Sequence, residues 1–242
     1  PPWIRARLPN SANYFSLRDE LHALKLNTVC ESASCPNIGE CWTRRALTIM
    51  ILGNVCTRSC RFCDVPTGRP RPVDPDEPRR VAEAALRMGL RHVVITAVTR
   101  DDLEDGGAGH FCRTVAAIRQ ATGATVEVLP SDFGGNPEAV DRLIEIGPEV
   151  YNYNTETVPR LYRKVRGRKA SYRWTLEIFR RIRELNGNDH VRHASDGAMG
   201  FDGGAGLAAS EPVDHDQSGL AGVLDAFDDP ALVGLEVVFG RE

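Results

Sequence analysis

Leu47-Thr-Ile-Met-Ile-Leu-Gly-Asn-Val-Cys56-Thr-Arg-Ser-Cys60-Arg-Phe-Cys63 joins an apolar run of strand length to three thiols within eight residues. Soft thiolates this close in sequence can close around one metal centre without help from distant parts of the fold. On a four-iron cubane, three ligands leave one iron that no protein atom holds, and a small molecule can bind and react there. A structural zinc site takes four protein ligands, and no His or Cys follows Cys63 within short reach. The spacing favours iron–sulfur over zinc. A zinc-binding interaction module with two Cys-rich knuckles stands as the alternative.

Upstream lies a second trio, Cys30-x4-Cys35-x5-Cys41, inside Cys30-Glu-Ser-Ala-Ser-Cys-Pro-Asn-Ile-Gly-Glu-Cys41-Trp42. It offers the same donors and lacks a fourth in the same way. Six of the seven cysteines belong to these trios, and Cys112 stands alone. Clustered, odd-numbered cysteines with no signal peptide argue against a disulfide framework and for a reducing, cytoplasmic compartment. No run approaches the eighteen or so apolar residues of a membrane span.

The 242 residues suffice for one α/β domain with a substantial core. The net charge of −3 hides an asymmetry. Residues 1–187 carry 28 basic against 22 acidic groups, whereas residues 188–242 carry two against eleven. A mildly basic body suits an acidic partner but is far from a nucleic-acid footprint.

Periodicity predicts a short helical stretch through Tyr14, Leu17, Leu21 and Leu24, then strands over 47–52, 92–97, 125–129 and 149–153. Helices are expected over 79–88, around Phe111, Val115 and Ile118, from Asn136-Pro137 onward, and over 171–185 with Trp174, Ile178, Ile182 and Leu185 inward. Five prolines make 66–78 a linker. Apolar strands alternating with amphipathic helices predict a parallel sheet. Whether that sheet curls closed is beyond periodicity.

The stretch Cys35-Pro-Asn-Ile-Gly-Glu-Cys41-Trp42 followed by Met50-Ile-Leu-Gly-Asn-Val-Cys56-Thr-Arg-Ser-Cys60-Arg-Phe-Cys63-Asp64 resembles the lipoyl synthase family of radical S-adenosylmethionine (SAM) enzymes. The resemblance runs over residues 1–186. It implies an α/β fold, the radical SAM partial TIM barrel, incomplete here with about four of six βα units, plus an N-terminal cluster-binding extension. The implied organisation is 1–46 as that extension, 47–187 as the barrel and 188–242 as a divergent acidic, Gly-rich tail. Chemistry in such barrels sits at the C-terminal ends of the strands. Cys56, Arg100-Asp-Asp102 and Asn154–Glu156 all fall at predicted strand ends.

The resemblance further implies two 4Fe–4S clusters as cofactors, one on Cys56, Cys60 and Cys63 and one on Cys30, Cys35 and Cys41. SAM would fill the open iron of the first through its amino and carboxylate groups, and would be cleaved reductively to a deoxyadenosyl radical. The second cluster would donate sulfur. The reaction implied is insertion of two sulfur atoms into an octanoyl chain on a lysine of a lipoyl-carrier domain, either 2-oxoacid dehydrogenase E2 or glycine cleavage H protein. An electron donor such as ferredoxin or flavodoxin would be the other partner, with no nucleic acid and no membrane.

Asp102, Asn154, Glu156 and Arg166 are the expected SAM contacts. Asn152-Tyr-Asn-Thr-Glu-Thr157 departs from the family's Asn-His-Asn-Leu-Glu-Thr at two positions. Arg160, Arg163, Lys164, Arg168 and Lys169 read as a solvated basic face, with Arg166 the exception. Phe62 shields a cofactor or packs, Cys112 is a small packed residue, and His22, His92 and His110 receive no role. No general acid or base is expected, since the cofactors carry the chemistry.

Beyond residue 187 the resemblance stops. The glycine-rich fifth strand and the Arg-Ser-Ser motif, whose Ser would complete the auxiliary cluster, are absent from this sequence. The tail therefore reads as disordered, frameshifted or foreign, with 231–239 the one candidate strand, and the barrel is expected to stay open with an exposed apolar edge. The opening Pro1-Pro2-Trp3 without Met reads as a missing N-terminus, Trp3 as an anchor of the arm, and the chain as a truncated, inactive form.

Overall fold

The computed structural model describes residues 9–186 and the strands Val191–His193 and Glu236–Gly240. The readings of Trp3 and of the remaining tail lie outside the described residues. Helix α1 (Ala12–Ala23) begins where Ser11 accepts a hydrogen bond from the Tyr14 amide at 3.1 Å, and it buries Leu17 and Leu21. Then come β1 (Asn27–Thr28), α2 (Val29–Ser32) and α3 (Ile38–Thr43). Neither short helix is visible to periodicity, because each is under two turns long. Trp42 on α3 is fully buried against Tyr14, ring centroids 5.2 Å apart, and so joins the N-terminal segment to the body.

The barrel part alternates: β2 (Thr48–Ile51), α4 (Glu77–Arg87), β3 (His92–Ala97), α5 (Ala108–Ala121), β4 (Thr125–Leu129), α6 (Pro137–Glu145), β5 (Val150–Asn154), α7 (Pro159–Arg166) and α8 (Tyr172–Asn186). Strands β2, β3, β4 and β5 are parallel neighbours in chain order. Each βα step moves the same way along the sheet, as in part of a (βα) barrel. Ile49, Ile51, Val93, Ile95, Val126, Val128, Tyr151 and Tyr153 are nearly or fully buried. Helices cover the sheet with Val81, Ala85, Phe111, Val115, Ile118, Val140 and Leu143.

Helix α7 has no counterpart in the periodic reading. Its basic side chains mask a short apolar set, although Pro159 in the first turn and Gly167 after Arg166 mark its ends. On α8, Ile178 and Ile182 are buried as expected, but Leu185, read as inward, is 51% exposed. The expected open edge after β5 is also corrected. There β7 (Glu236–Gly240) pairs antiparallel with β5, and β6 (Val191–His193) pairs with β7. The described sheet ends at β1 on one side and β6 on the other. Among the described residues, no helix is long and apolar enough to cross a membrane.

Candidate metal centre

The chain leaves β2 through Leu52, whose backbone is left-handed at φ 67°, a conformation that an L residue with a Cβ adopts only when its surroundings impose it. Its amide donates to Glu77 Oε2 at 2.8 Å, and its carbonyl accepts from Arg100 Nη1 at 3.2 Å. Glu77 is buried and bonded to His110 Nε2 at 2.7 Å. His110, given no role from sequence, thus belongs to the network that sets the strand exit. Gly107 lies against the Leu52 side chain, and an added Cβ would come within 2.4 Å of Leu52 Cδ1.

The thiol loop follows at once. Cys56 is held by two backbone bonds, its amide to the Pro66 carbonyl at 2.8 Å and the Gly68 amide to its own carbonyl at 3.0 Å. The Arg58 amide points at Cys56 Sγ, 3.4 Å away. At the far end, the Arg61 amide donates to the Val165 carbonyl at 2.9 Å, and Cys60 Sγ lies 3.6 Å from the Arg166 carbonyl. The loop is therefore seated on the C-terminal turn of α7. Burial pushes the Cys60 thiol up; Arg166 pulls it back, while Cys56 and Cys63 push it up again, and the net direction is upward. Cys63 is exposed, and so is Phe62, at 52%.

The second trio sits on the two short helices. Cys30 is in α2 and Cys41 in α3, and the Cys35 amide between them bonds the Cys30 carbonyl at 3.0 Å. Burial raises the Cys41 thiol first, and the neighbouring Cys30 and Cys35 raise it further, so the three groups feel one another. Ser34 Oγ donates to Asp64 Oδ2 at 2.5 Å, tying the residue before Cys35 to the residue after Cys63. Among the described residues, no three His, Cys, Asp or Glu side chains close around a single ion. A cubane distributes its thiolates over separate irons, and backbone N–H groups directed at sulfur, as at Cys56, suit it. The donor set of each trio fits such a cluster.

The expected SAM contacts gather at the end of β5 and on α7, apart from Asp102. Asn154 closes β5, and Glu156, with φ 66°, turns the chain away from it. Arg166 Nη1 lies 3.5 Å from Glu156 Oε1 and stacks over Tyr162 at 5.7 Å. Burial opposes the Arg166 charge, but Tyr153, Tyr162, Cys60 and Glu156 more than offset it. Asn154 Oδ1 and Arg166 Nε are buried atoms that meet no hydrogen-bond partner among the described residues. A buried acceptor at the end of β5 and a buried cationic donor on α7, each without a partner among the described residues, suit a ligand carrying an amine or hydroxyl together with a carboxylate. Asp102 lies elsewhere. Both its oxygens are taken by Arg100, at 2.8 Å each, which holds its carboxyl below the usual range. The other cations of the basic face, Arg160, Arg163, Lys164, Arg168 and Lys169, are exposed. Cys112 packs at the edge of the core with Sγ 3.5 Å from the Arg142 carbonyl.

Sequence reading passed over Arg58, Asp101 and Asp132. Arg58 bonds both carboxylates from the middle of the thiol loop. Asp101 is the neighbour of the residue singled out, and only the turn after β3 decides which of the pair faces inward. Burial alone would raise the Asp101 carboxyl, but Arg58, Thr57 and Lys169 outweigh it and hold it low. Burial is likewise outweighed at Asp105, by the Gly109 and Gly107 amides, and at Glu149, by the Val126 amide and Arg119. Carboxyls depressed in the folded state contribute stability above their unfolded values near pH 4, and lose it as pH falls through their lower folded values. The melting temperature should thus hold from pH 7 to about 5 and drop steeply below pH 4, which thermal unfolding followed by circular dichroism measures. A flat profile down to pH 2 would remove these pairs as stabilising elements.

Comparison with known proteins adds four findings. The model of the radical SAM superfamily matches residues 50–203. That of the N-terminal domain of lipoyl synthase of the radical SAM family matches residues 1–35. Lipoyl synthase of Caldanaerobacter subterraneus subsp. tengcongensis is 53% identical over 186 residues, 77% of this chain and 65% of that protein. Lipoyl synthase of Rubrobacter xylanophilus is 52% identical over 187 residues, 77% of this chain and 58% of that protein. The chain thus spans less than two thirds of the length of these relatives.

Proposed function

This chain belongs to the radical SAM superfamily, and from that premise we propose that its activity is lipoyl synthesis: insertion of two sulfur atoms, at C6 and C8, into an octanoyl chain carried on a lysine. The observation that carries the reading is the seating of the Cys56–Cys60–Cys63 loop on α7, where Cys60 Sγ lies 3.6 Å from the carbonyl of Arg166, whose own Nε is buried and meets no partner among the described residues. The second trio, linked to the first through Ser34 and Asp64, supports a two-cluster arrangement over a superfamily member with one cluster. Similarity to lipoyl synthases supports the same choice.

When bound, SAM and the clusters supply the radical and the sulfur. The chain's own part is to bind and orient. Cys56, Cys60 and Cys63 would hold one cluster and leave one iron for SAM, while Cys30, Cys35 and Cys41 would hold the other. Asn154 Oδ1 would accept from the SAM amine or a ribose hydroxyl, Arg166 would hold the SAM carboxylate, and Glu156 would fix Arg166. Asp102, already paired with Arg100, would act on SAM or substrate only through that partner. The carrier would be a lipoyl domain of 2-oxoacid dehydrogenase E2 or the glycine cleavage H protein, with a ferredoxin or flavodoxin as reductant, in a reducing cytoplasm.

The test is anaerobic reconstitution with iron and sulfide, followed by incubation with SAM, reductant and an octanoyl-lysyl peptide. Mass spectrometry should show the peptide gaining two sulfurs, with hydrogen unchanged in the dithiol form and two hydrogens fewer in the closed disulfide. A colourless chain holding stoichiometric zinc would favour the interaction module instead. Within the site, Asn154→Ala should raise the KM for SAM about 2- to 10-fold, the worth of one neutral hydrogen bond. Arg166→Gln should raise it roughly 10- to 100-fold, since a charged partner is lost. Equal, small effects of the two would separate Arg166 from the carboxylate.

A further inference from the structure

Arg58 stands midway between Cys56 and Cys60, yet its side chain is turned into the barrel. The side chain is 3% exposed, and its guanidinium is shared between carboxylates that follow two different strands. Nε and Nη2 bond Asp101, after β3, at 3.0 and 2.6 Å, and Nη1 and Nη2 meet Asp132, after β4, at 2.8 and 2.7 Å. Lys169, 3.4 Å from Asp101, supplies the second cation that two carboxylates require. The neighbours complete the arrangement. Thr57 Oγ1 accepts from the Asp101 amide at 3.0 Å, and Thr67 Oγ1 donates to the Arg58 carbonyl at 3.0 Å.

A buried guanidinium stays protonated, so removing one of its carboxylates leaves an uncompensated charge in a low-dielectric interior. Because Arg58 lies on the loop and both partners lie in the turns that follow β3 and β4, the loop cannot swing outward without exposing that imbalance. We propose that Arg58 is the positioning residue of the thiol loop: Asp101 and Asp132 lock it so that Cys56 and Cys60 are presented in ligating geometry before iron arrives. The proposal rests on the reading of Cys56, Cys60 and Cys63 as cluster ligands. Its consequence is specific to this loop, since Cys30, Cys35 and Cys41 stand on other elements.

That second trio is the internal control. In the iron-free, reduced full chain, alkylation of each cysteine by iodoacetamide is followed by peptide mass spectrometry. In Asp132→Asn and in Arg58→Lys, which keeps the charge but loses the fork, Cys56 and Cys60 should be alkylated at least tenfold faster than in wild type. Cys30, Cys35 and Cys41 should be unchanged, and Asp132→Glu should restore wild-type rates to within about threefold. Iron uptake during reconstitution should slow in the same order. Equal acceleration at all six cysteines, as general destabilisation would give, overturns the proposal, and so do wild-type rates at Cys56 and Cys60. A wild-type chain that protects Cys56 and Cys60 but takes up no iron would sink the proposed function, and with it the assignment of Arg58 to cluster assembly. Wild-type iron uptake combined with unprotected thiols would sink the role of Arg58 alone.

Discussion

Cys60→Ala is expected to abolish deoxyadenosine formation from SAM, leaving only the level of chain without iron. Of the three thiols in the loop, Cys60 has the most constrained setting. It lies at the seam between the loop and α7, with Sγ 3.6 Å from the Arg166 carbonyl and its thiol raised chiefly by burial. Beside the other two thiols of its trio, the charged groups that act on it are Arg166 and Arg58, which cannot serve as thiolate substitutes. With two cluster ligands left, the open-iron geometry that SAM requires is lost even where some iron remains. Iron content should fall from about eight per chain to about four by the two-cubane count, and the absorbance near 400 nm should fall with it. The matching change in the second trio, Cys41→Ala, should cost the same share of iron but leave SAM cleavage in place while sulfur insertion stops. The two variants together thus separate the roles of the trios. Continued SAM cleavage by Cys60→Ala would remove the assignment of the first trio.

Gly135→Ala should lower stability by roughly 2–5 kcal/mol. Gly135 has φ +80°, and an added Cβ would lie 2.4–2.8 Å from three atoms of the Trp174 indole. The left-handed backbone with a side chain costs about 1–2 kcal/mol, and crowding of a packed ring typically about 1–3 kcal/mol. For a chain of this size the melting temperature would drop by roughly 5–15 °C. Gly134→Ala is the control. Its φ is +68° but its Cβ would meet nothing within 4 Å, so only the backbone contribution of about 1–2 kcal/mol applies. The difference between the two, read by thermal denaturation, measures the contact between α8 and the turn after β4. Equal losses would show that Trp174 does not cover Gly135. The turn matters to the site because it carries Asp132, one of the two carboxylates on Arg58.

Much of this was legible in the chain itself. The order of strands and helices follows from alternating apolar runs and amphipathic stretches, because burial on a sheet or one helix face leaves a period in the sequence. The six clustered cysteines gave the expectation of a metal centre, because thiolates so near one another suit one shared centre. The Asn154–Glu156 segment was also accessible, through resemblance to a known motif, and Arg166 as the exception in a basic run, neither of them through periodicity.

Other features had no local trace. The ion pairs that seat the thiol loop join Arg58 to residues 43 and 74 positions away, and nothing in the surroundings of Asp101 and Asp102 says which will turn inward. His110 was passed over because a single histidine on an apolar helix face looks the same whether or not a buried Glu77 meets it. Helix α7 was hidden by its own charges. Sequence alone thus determined which elements form and which donors are available, since both depend on neighbours within a few residues. Only the tertiary structure decided which charges meet, because convergence of the strand ends sets distances between residues that the chain keeps far apart.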